Sequence, residues 1–311
     1  MKVFVIGATG VLGRRTVPLL VQSGHEVTAL ARTPEKATLL ARLGATATSV
    51  NIFDSKALAK AFRGHEVVFN LATSIPTMRR SALASAWVEN DKLRDLGTRS
   101  MVEAAISAGV SRFIQESITF NYQDSGDDWI TEIYPVNPST IGRSALEAEA
   151  RTNDFALSGN VGIVLRFGAF YGFDSSHTID TVRFARHGFA LNIGTESAFI
   201  SPITTDDAAS ATIGALRASS GIYNVVDDEP LSRKDYYDAL ALTLGRKQLR
   251  LLPAFARRLG GSSTAMAMRS QRISNQLFKQ TTSWSPGYHS ARTGWHFVMS
   301  ELDERGIRHD T

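Results

Sequence analysis

The chain has 311 residues, 43% hydrophobic and 21% charged, and its 34 basic and 30 acidic side chains leave a formal charge of +4, the make-up of a globule with a sizeable core. The absence of cysteine excludes disulfides, thiolate nucleophiles and Cys-ligated zinc or iron–sulfur sites, and none of the seven histidines pair at i, i+4, so no metal is expected. No window of eighteen apolar residues exists, the opening MKVFVIGATG does not read as a secretory leader, and no basic motif is interleaved with aromatics, so a cytoplasmic protein with neither membrane nor nucleic-acid partner is expected.

In chain order, β-branched and apolar runs alternate with helical segments. Strands are expected over 2–6, 27–30, 46–52 and 67–71, separated by helices from about Gly13, over 34–43 and over 55–62. A long helix within 88–108, a strand over 112–115, a helix over 143–157 and a strand over 162–167 continue the rhythm. This is the βαβ pattern of a Rossmann-type, doubly wound parallel sheet in the α/β class. After Tyr171 the rhythm loosens into aromatic-rich loops, with a short strand near 198–200, a helix over 206–218 and a strand over 222–226. From Pro230 the tail reads as two helices and a Pro/Gly/Trp-containing end, with a mild basic excess (Arg246, Lys247, Arg250, Arg257, Arg258, Arg269, Arg272) read as solvated surface. A basic chain still favours an anionic ligand. The expected organisation is a dinucleotide-binding domain over 1–170, to which 206–228 return, and a smaller, interleaved C-terminal α/β substrate lobe over 171–205 and 229–311.

The first expected strand feeds Gly7-Ala8-Thr9-Gly10-Val11-Leu12-Gly13, which opens a helix. Unpaired N–H groups and the positive helix end attract an anion there, and glycines let a pyrophosphate approach the backbone. Gly7, Thr9, Gly10, Val11, Leu12 and Gly13 are therefore candidate cofactor contacts. At the end of the second strand, where an acidic residue would hold a ribose 2′-hydroxyl, the chain has Arg32. A guanidinium there suits the 2′-phosphate of NADP(H), with Arg14 as a second candidate. Two surface arginines are the blander reading.

The whole run resembles an extended short-chain dehydrogenase/reductase of the NAD-dependent epimerase/dehydratase family. GATGVLG is similar to the family's first turn, Asn70-Leu71-Ala72-Thr73 to its N-A-A segment, and Asn90 to Thr98 with Glu103-Ala-Ala105 to its N-x-x-G-T helix. Ser117 ends the fifth strand as the family's serine does, Leu165 to Gly172 resembles L-R-P-x-x-x-Y-G, and Thr205-Asp-Asp207 and Tyr223-Asn224 resemble later segments. The resemblance implies further cofactor contacts at Asn51, Ile52, Leu71, Ala72, Thr73, Phe167, Ala169 and Phe170, a small-molecule substrate, and a homodimer. It also implies Y-x-x-S-K-x-x-x-E at the helix opening, where this chain reads Ile141-Gly-Arg-Ser144-Ala145-Leu-Glu-Ala-Glu149. Neither isoleucine nor alanine transfers a proton, and the field of an ammonium is lost with the lysine.

Three functions remain open. An NADP(H)-dependent oxidoreductase could take its proton from another residue, with Tyr122 as the candidate acid and Ser117 orienting the acceptor, or act on a substrate needing little acid, such as an iminium or polarised enone. A cofactor-binding protein without hydride transfer and a non-redox isomerase or cyclase are the alternatives. Tyr122 reads equally as an aromatic packed under its loop. The substrate pocket is expected at Ile141, Tyr171 and Phe173, with Phe184, Phe189 and Phe199 nearby, suiting an apolar or aromatic ligand.

Overall fold

Strands buried on both faces need helices on both sides, and the chain supplies them. In the computed structural model, which describes residues 1–81, 83–191, 194–251, 266 and 268–306, seven strands form one parallel sheet. They are β1 (Lys2–Ile6), β2 (Glu26–Leu30), β3 (Thr46–Thr48), β4 (Val67–Asn70), β5 (Arg112–Ile118), β6 (Val161–Phe167) and β7 (Gly221–Val225). Across the sheet the order is β7, β6, β5, β4, β1, β2, β3. The chain reverses its direction of winding between β1 and β4, and in such sheets a ligand crevice opens outside the carboxyl ends of those strands.

Helices α1 (Gly13–Gln22), α2 (Pro34–Arg42), α3 (Ser55–Phe62), α4 (Thr98–Ala108), α5 (Arg143–Leu157) and α6 (Thr205–Gly214) cover the sheet. Alternation along β1 sorts the two faces: Val3 and Val5 join Val17 and Leu20 of α1, Leu40 of α2 and Ala208 of α6, while Phe4 joins Leu58, Phe62, Met101 and Phe155 of α3, α4 and α5. A separate apolar cluster gathers Tyr171, Leu231, Tyr236, Leu240, Trp295 and Val298. Two short pairings flank it, Phe199–Ile200 with Leu231–Ser232 and Pro202–Thr204 with Ala169–Tyr171.

Several elements differ from the sequence reading. The third strand stops at Thr48 because Asn51 turns the chain, accepting from the Phe53 N–H at 3.1 Å, and Asp54 caps α3 by accepting from Ala57 at 3.0 Å. The fifth runs on to Ile118, since Glu116, Ser117 and Ile118 pair with Leu165, Arg166 and Phe167. The helix expected within 88–108 is interrupted by a π-helical turn, Leu93–Gly97, before α4 begins. Among the described residues the tail holds three helices, Arg233–Thr243, Gln276–Thr282 and Ala291–Glu304; the middle one has only 7 residues, too few for periodicity to reveal. Among the described residues no helix is long and apolar enough to cross a membrane.

Candidate cofactor and substrate site

At the end of β1 the backbone reverses through Gly7 at φ 83°, a conformation that favours glycine. A Cβ at Gly7 would drive into the backbone of Leu71 and Ala72, and one at Gly13 into the Gly7 carbonyl. Gly10 is different: it is exposed, and the atom nearest an added Cβ is the Gly7 oxygen at 3.3 Å. Two glycines therefore close the turn and the third leaves it open to a ligand. The N–H groups of Val11 and Leu12 have no acceptor among the described residues, and α1 starts directly behind them. This cradle fits a pyrophosphate. Leu71 donates to the Ile6 carbonyl at 2.9 Å, which brings Leu71, Ala72 and Thr73 alongside the turn.

Arg32 stands two residues past the end of β2, is exposed, and forms no ion pair among the described residues. Arg14 is placed otherwise. Its guanidinium meets Asp174 at 2.9 Å, the carboxylate that Arg15 also holds at 2.8 Å. Arg14, expected as the second residue at a ribose phosphate, therefore stands in a partly exposed ion pair whose carboxylate it shares with Arg15. Asn51 and Ile52 lie in the turn before α3, with Ile52 buried. The Phe167 side chain is core, packed 5.3 Å from the Phe170 ring, while Ala169 and Phe170 are half-buried just past β6.

The polar groups near the start of α5 form a buried network. Ser117 donates to Glu149 Oε1 at 2.5 Å, and Arg166 donates to both carboxylate oxygens of Glu149, at 2.9 Å from Nε and 2.5 Å from Nη2. The Arg166 guanidinium lies 4.8 Å from the centroid of the Tyr122 ring. Tyr122 is fully buried, its hydroxyl donates to Asn224 Oδ1 at 2.8 Å, and burial, against the pull of Arg166, pushes the phenol up to about 12. Tyr122 is thus a packed aromatic with a committed proton, and Ser117 is a buried donor to Glu149; neither hydroxyl is presented to a pocket. A second buried pair lies nearby, Arg94 Nη2 donating to both oxygens of Glu116 at 2.8 Å. Neither network was legible from motif spacing, although Glu149 and Arg166 both fall inside motifs noted in the sequence.

Ile141 and Ala145, at the opening of α5, are buried. Tyr171 is 1% exposed and packs 5.2 Å from Trp295, so it belongs to the core rather than to a pocket wall. Phe173 is half-buried, with the guanidinium groups of Arg15 and Arg305 4.7 and 4.2 Å from its ring centre. Phe184 and Phe189 are exposed. A small cavity of about 10 Å³, room for about one water, lies past the ends of β5 and β6, lined by Thr119, Phe120, Ala169, Phe199 and Ile273 with the polar side chains of Arg233, Arg269 and Gln271. Burial lowers the pKa of both Arg233 and Arg269. Of these residues the sequence reading had Ala169 and Phe199 near a ligand and counted Arg269 as surface.

A family model described as NAD(P)H-binding matches residues 7–171, more than half of the chain, and spans the glycine turn, β2 to β6 and α5. The chain belongs to this NAD(P)H-binding family. Its fold is that of the epimerase-type short-chain dehydrogenase/reductases. UDP-glucose 4-epimerase from Thermotoga maritima with UDP-glucose superposes with a TM-score of 0.80 at 21% identity, over 98% of this chain and 99% of that one. The human epimerase family protein SDR39U1 with NADPH also gives 0.80, at 20% identity over 97% and 100%. Among curated relatives, a 3-diazoavenalumate denitrifying reductase from a Streptomyces species is 29% identical over 306 residues, 94% of this chain and 99% of that protein. Photosystem II assembly factor Ycf39 from Synechocystis is 30% identical over 118 residues, 38% of this chain and 34% of that protein.

Proposed function

We infer that this chain is an NADPH-dependent reductase whose acceptor is electrophilic enough to take a hydride without an enzymatic acid, an aromatic diazonium-type compound being the class that fits best. The observation that carries this is the pair of buried apolar side chains, Ile141 and Ala145, where the family's phenol and ammonium would stand, together with the commitment of the Tyr122 hydroxyl to Asn224. Ketone reduction and sugar epimerisation need a proton moved at oxygen. Hydride addition to an arenediazonium does not: the arene gains hydrogen, the carbon–nitrogen bond breaks, dinitrogen leaves with the positive charge neutralised, and no proton is consumed. The near full-length relative is named for a reduction with loss of nitrogen, which supports the same class.

Bound NADPH supplies the hydride. The chain's own part is to hold and to exclude. The turn from Gly7 to Gly13 holds the pyrophosphate through its open N–H groups, and Arg32 gives the preference for a 2′-phosphate. Ile141 and Ala145 keep the opening of α5 apolar and free of a proton donor.

The test uses NADPH deuterated at C4 with a diazotised aminophenol, against panels of ketones, aldehydes, enones and cyclic imines. Dinitrogen and NADP⁺ should form one to one above the uncatalysed rate, with deuterium in the arene and ketones left untouched. Reduction of ketones but not of the diazo compound overturns the reading. NADPH binding without turnover on any class instead supports a cofactor-binding protein that transfers no hydride.

A further inference from the structure

Where α1 begins, one carbonyl is left without a backbone donor. The N–H groups of Arg15 and Thr16, at 3.1 and 3.0 Å, and the Thr16 hydroxyl, at 3.1 Å, all go to the Leu12 carbonyl, while the Gly10 carbonyl takes the Arg14 N–H at 3.1 Å. The Val11 carbonyl, which an α-helical bond from the Arg15 N–H would satisfy, accepts instead from the Arg15 side chain, with Nη1 at 3.1 Å. A peptide unit is planar, its N–H opposite its C=O, so holding the Val11 carbonyl also sets the direction of the Leu12 N–H. That N–H is one of the two open donors of the glycine turn.

Arg15 is itself fixed from outside α1. The same Nη1 donates to Asp174 Oδ2 at 2.8 Å, Nε meets Asp206 Oδ2 at 3.3 Å, and the guanidinium lies 4.7 Å from the centre of the Phe173 ring. Asp174 stands in the loop between the strand Ala169–Tyr171 and the helix Ser176–Arg186, and Asp206 in the first turn of α6. The side chains of Arg15 and Asp174 are 10% and 17% exposed, so salt and water screen their contact less than they screen a surface ion pair. A guanidinium placed by two carboxylates and a ring loses little freedom in gripping the carbonyl, and its charge polarises the amide so that the N–H on the far side becomes a better donor.

We propose that Arg15 is a positioning residue for the cofactor: held by Asp174, it locks the Val11–Leu12 peptide with the Leu12 N–H turned to the pyrophosphate. This rests on the reading of the Gly7–Gly13 turn as the pyrophosphate cradle and is independent of which acceptor takes the hydride. It makes the affinity for an anionic cofactor depend on a carboxylate, which is the reverse of what charge alone dictates.

Titration calorimetry on the full chain compares NADP⁺ with adenosine 2′-monophosphate, which lacks the pyrophosphate. Asp174→Ala removes a negative charge, so an effect of field alone would tighten NADP⁺ binding; loss of positioning should weaken it about tenfold, the worth of a hydrogen bond to a charged group. Arg15→Met should weaken NADP⁺ at least as much, and its ratio to wild type should persist in about 1 M salt, where long-range fields are screened. Adenosine 2′-monophosphate should bind wild type and both variants alike, which a general loosening of the fold would not allow. In wild type, NADP⁺ should move the Leu12 amide proton resonance downfield and adenosine 2′-monophosphate should not, a measurement that stands even where neither variant folds. Unchanged or tighter NADP⁺ binding by Asp174→Ala, an equal loss for both ligands, or a Leu12 resonance that does not respond to bound NADP⁺ overturns the proposal alone. A wild type that binds no NADP⁺ ends the cradle reading, and the proposal with it.

Discussion

We propose that Arg32 carries the cofactor preference, Arg14 being paired with Asp174. NADPH should bind more tightly than NADH, and Arg32→Ala should remove about 1.5–3 kcal/mol of that difference, roughly ten- to a hundredfold in affinity. Equal wild-type affinities for the two cofactors would remove the assignment. Tyr122 gives the second prediction at this scale. Tyr122→Phe leaves Asn224 Oδ1 buried without its donor, so the melting free energy should fall by about 1–3 kcal/mol. Since the phenol is committed and held well above neutral pH, kcat should stay close to wild type. A drop of about 10²–10⁴ in kcat with stability unchanged would put that hydroxyl back into the reaction.

Element packing around α5 depends on Glu149, which ties the helix to β5 through Ser117 and to β6 through Arg166. The ion pair is buried on both sides, so its worth lies less in attraction than in the charge that would be stranded if one partner were lost. Glu149→Gln leaves Arg166 without its carboxylate and should cost about 3–5 kcal/mol in urea denaturation. A loss below about 1 kcal/mol would show water or a neighbour replacing the carboxylate, as at an exposed pair. The same anchoring holds the start of α5, and with it Ile141 and Ala145, against the sheet. Reinstating a lysine at Ala145 would therefore require opening a fully packed contact.

At the scale of the whole molecule, Val88, Leu96, Ile106 and Leu157 are exposed apolar side chains on the 88–108 segment and α5, the helices expected to meet across a two-fold axis. A second copy of this chain would cover them, forming the four-helix contact usual for such pairs. Sedimentation at micromolar concentration should give a dimer, and Leu96→Glu should shift it toward monomer. A monomeric wild-type mass ends the idea.

Local chemistry made the first half of the chain legible in the sequence. Strand–turn–helix alternation set the parallel sheet, glycine spacing at Gly7 and Gly13 answered to backbone approaches that no other residue permits, and the basic end of the second strand placed Arg32. Motif order gave the family, and with it the conspicuous Ile141 and Ala145. What the sequence could not supply were partnerships across distance: Arg14 with Asp174, Tyr122 with Asn224, and Arg166 with Glu149 bring together residues from separate elements. Each of these side chains could equally have faced a ligand, and only the packed structure decides which is already satisfied. The cavity shows the same division, since Arg269 and Phe120 stand 149 positions apart and meet only when the tail folds back across the end of β5. Periodicity and turn chemistry act within a few residues and are written locally, whereas desolvation and charge pairing depend on neighbours that tertiary folding alone supplies.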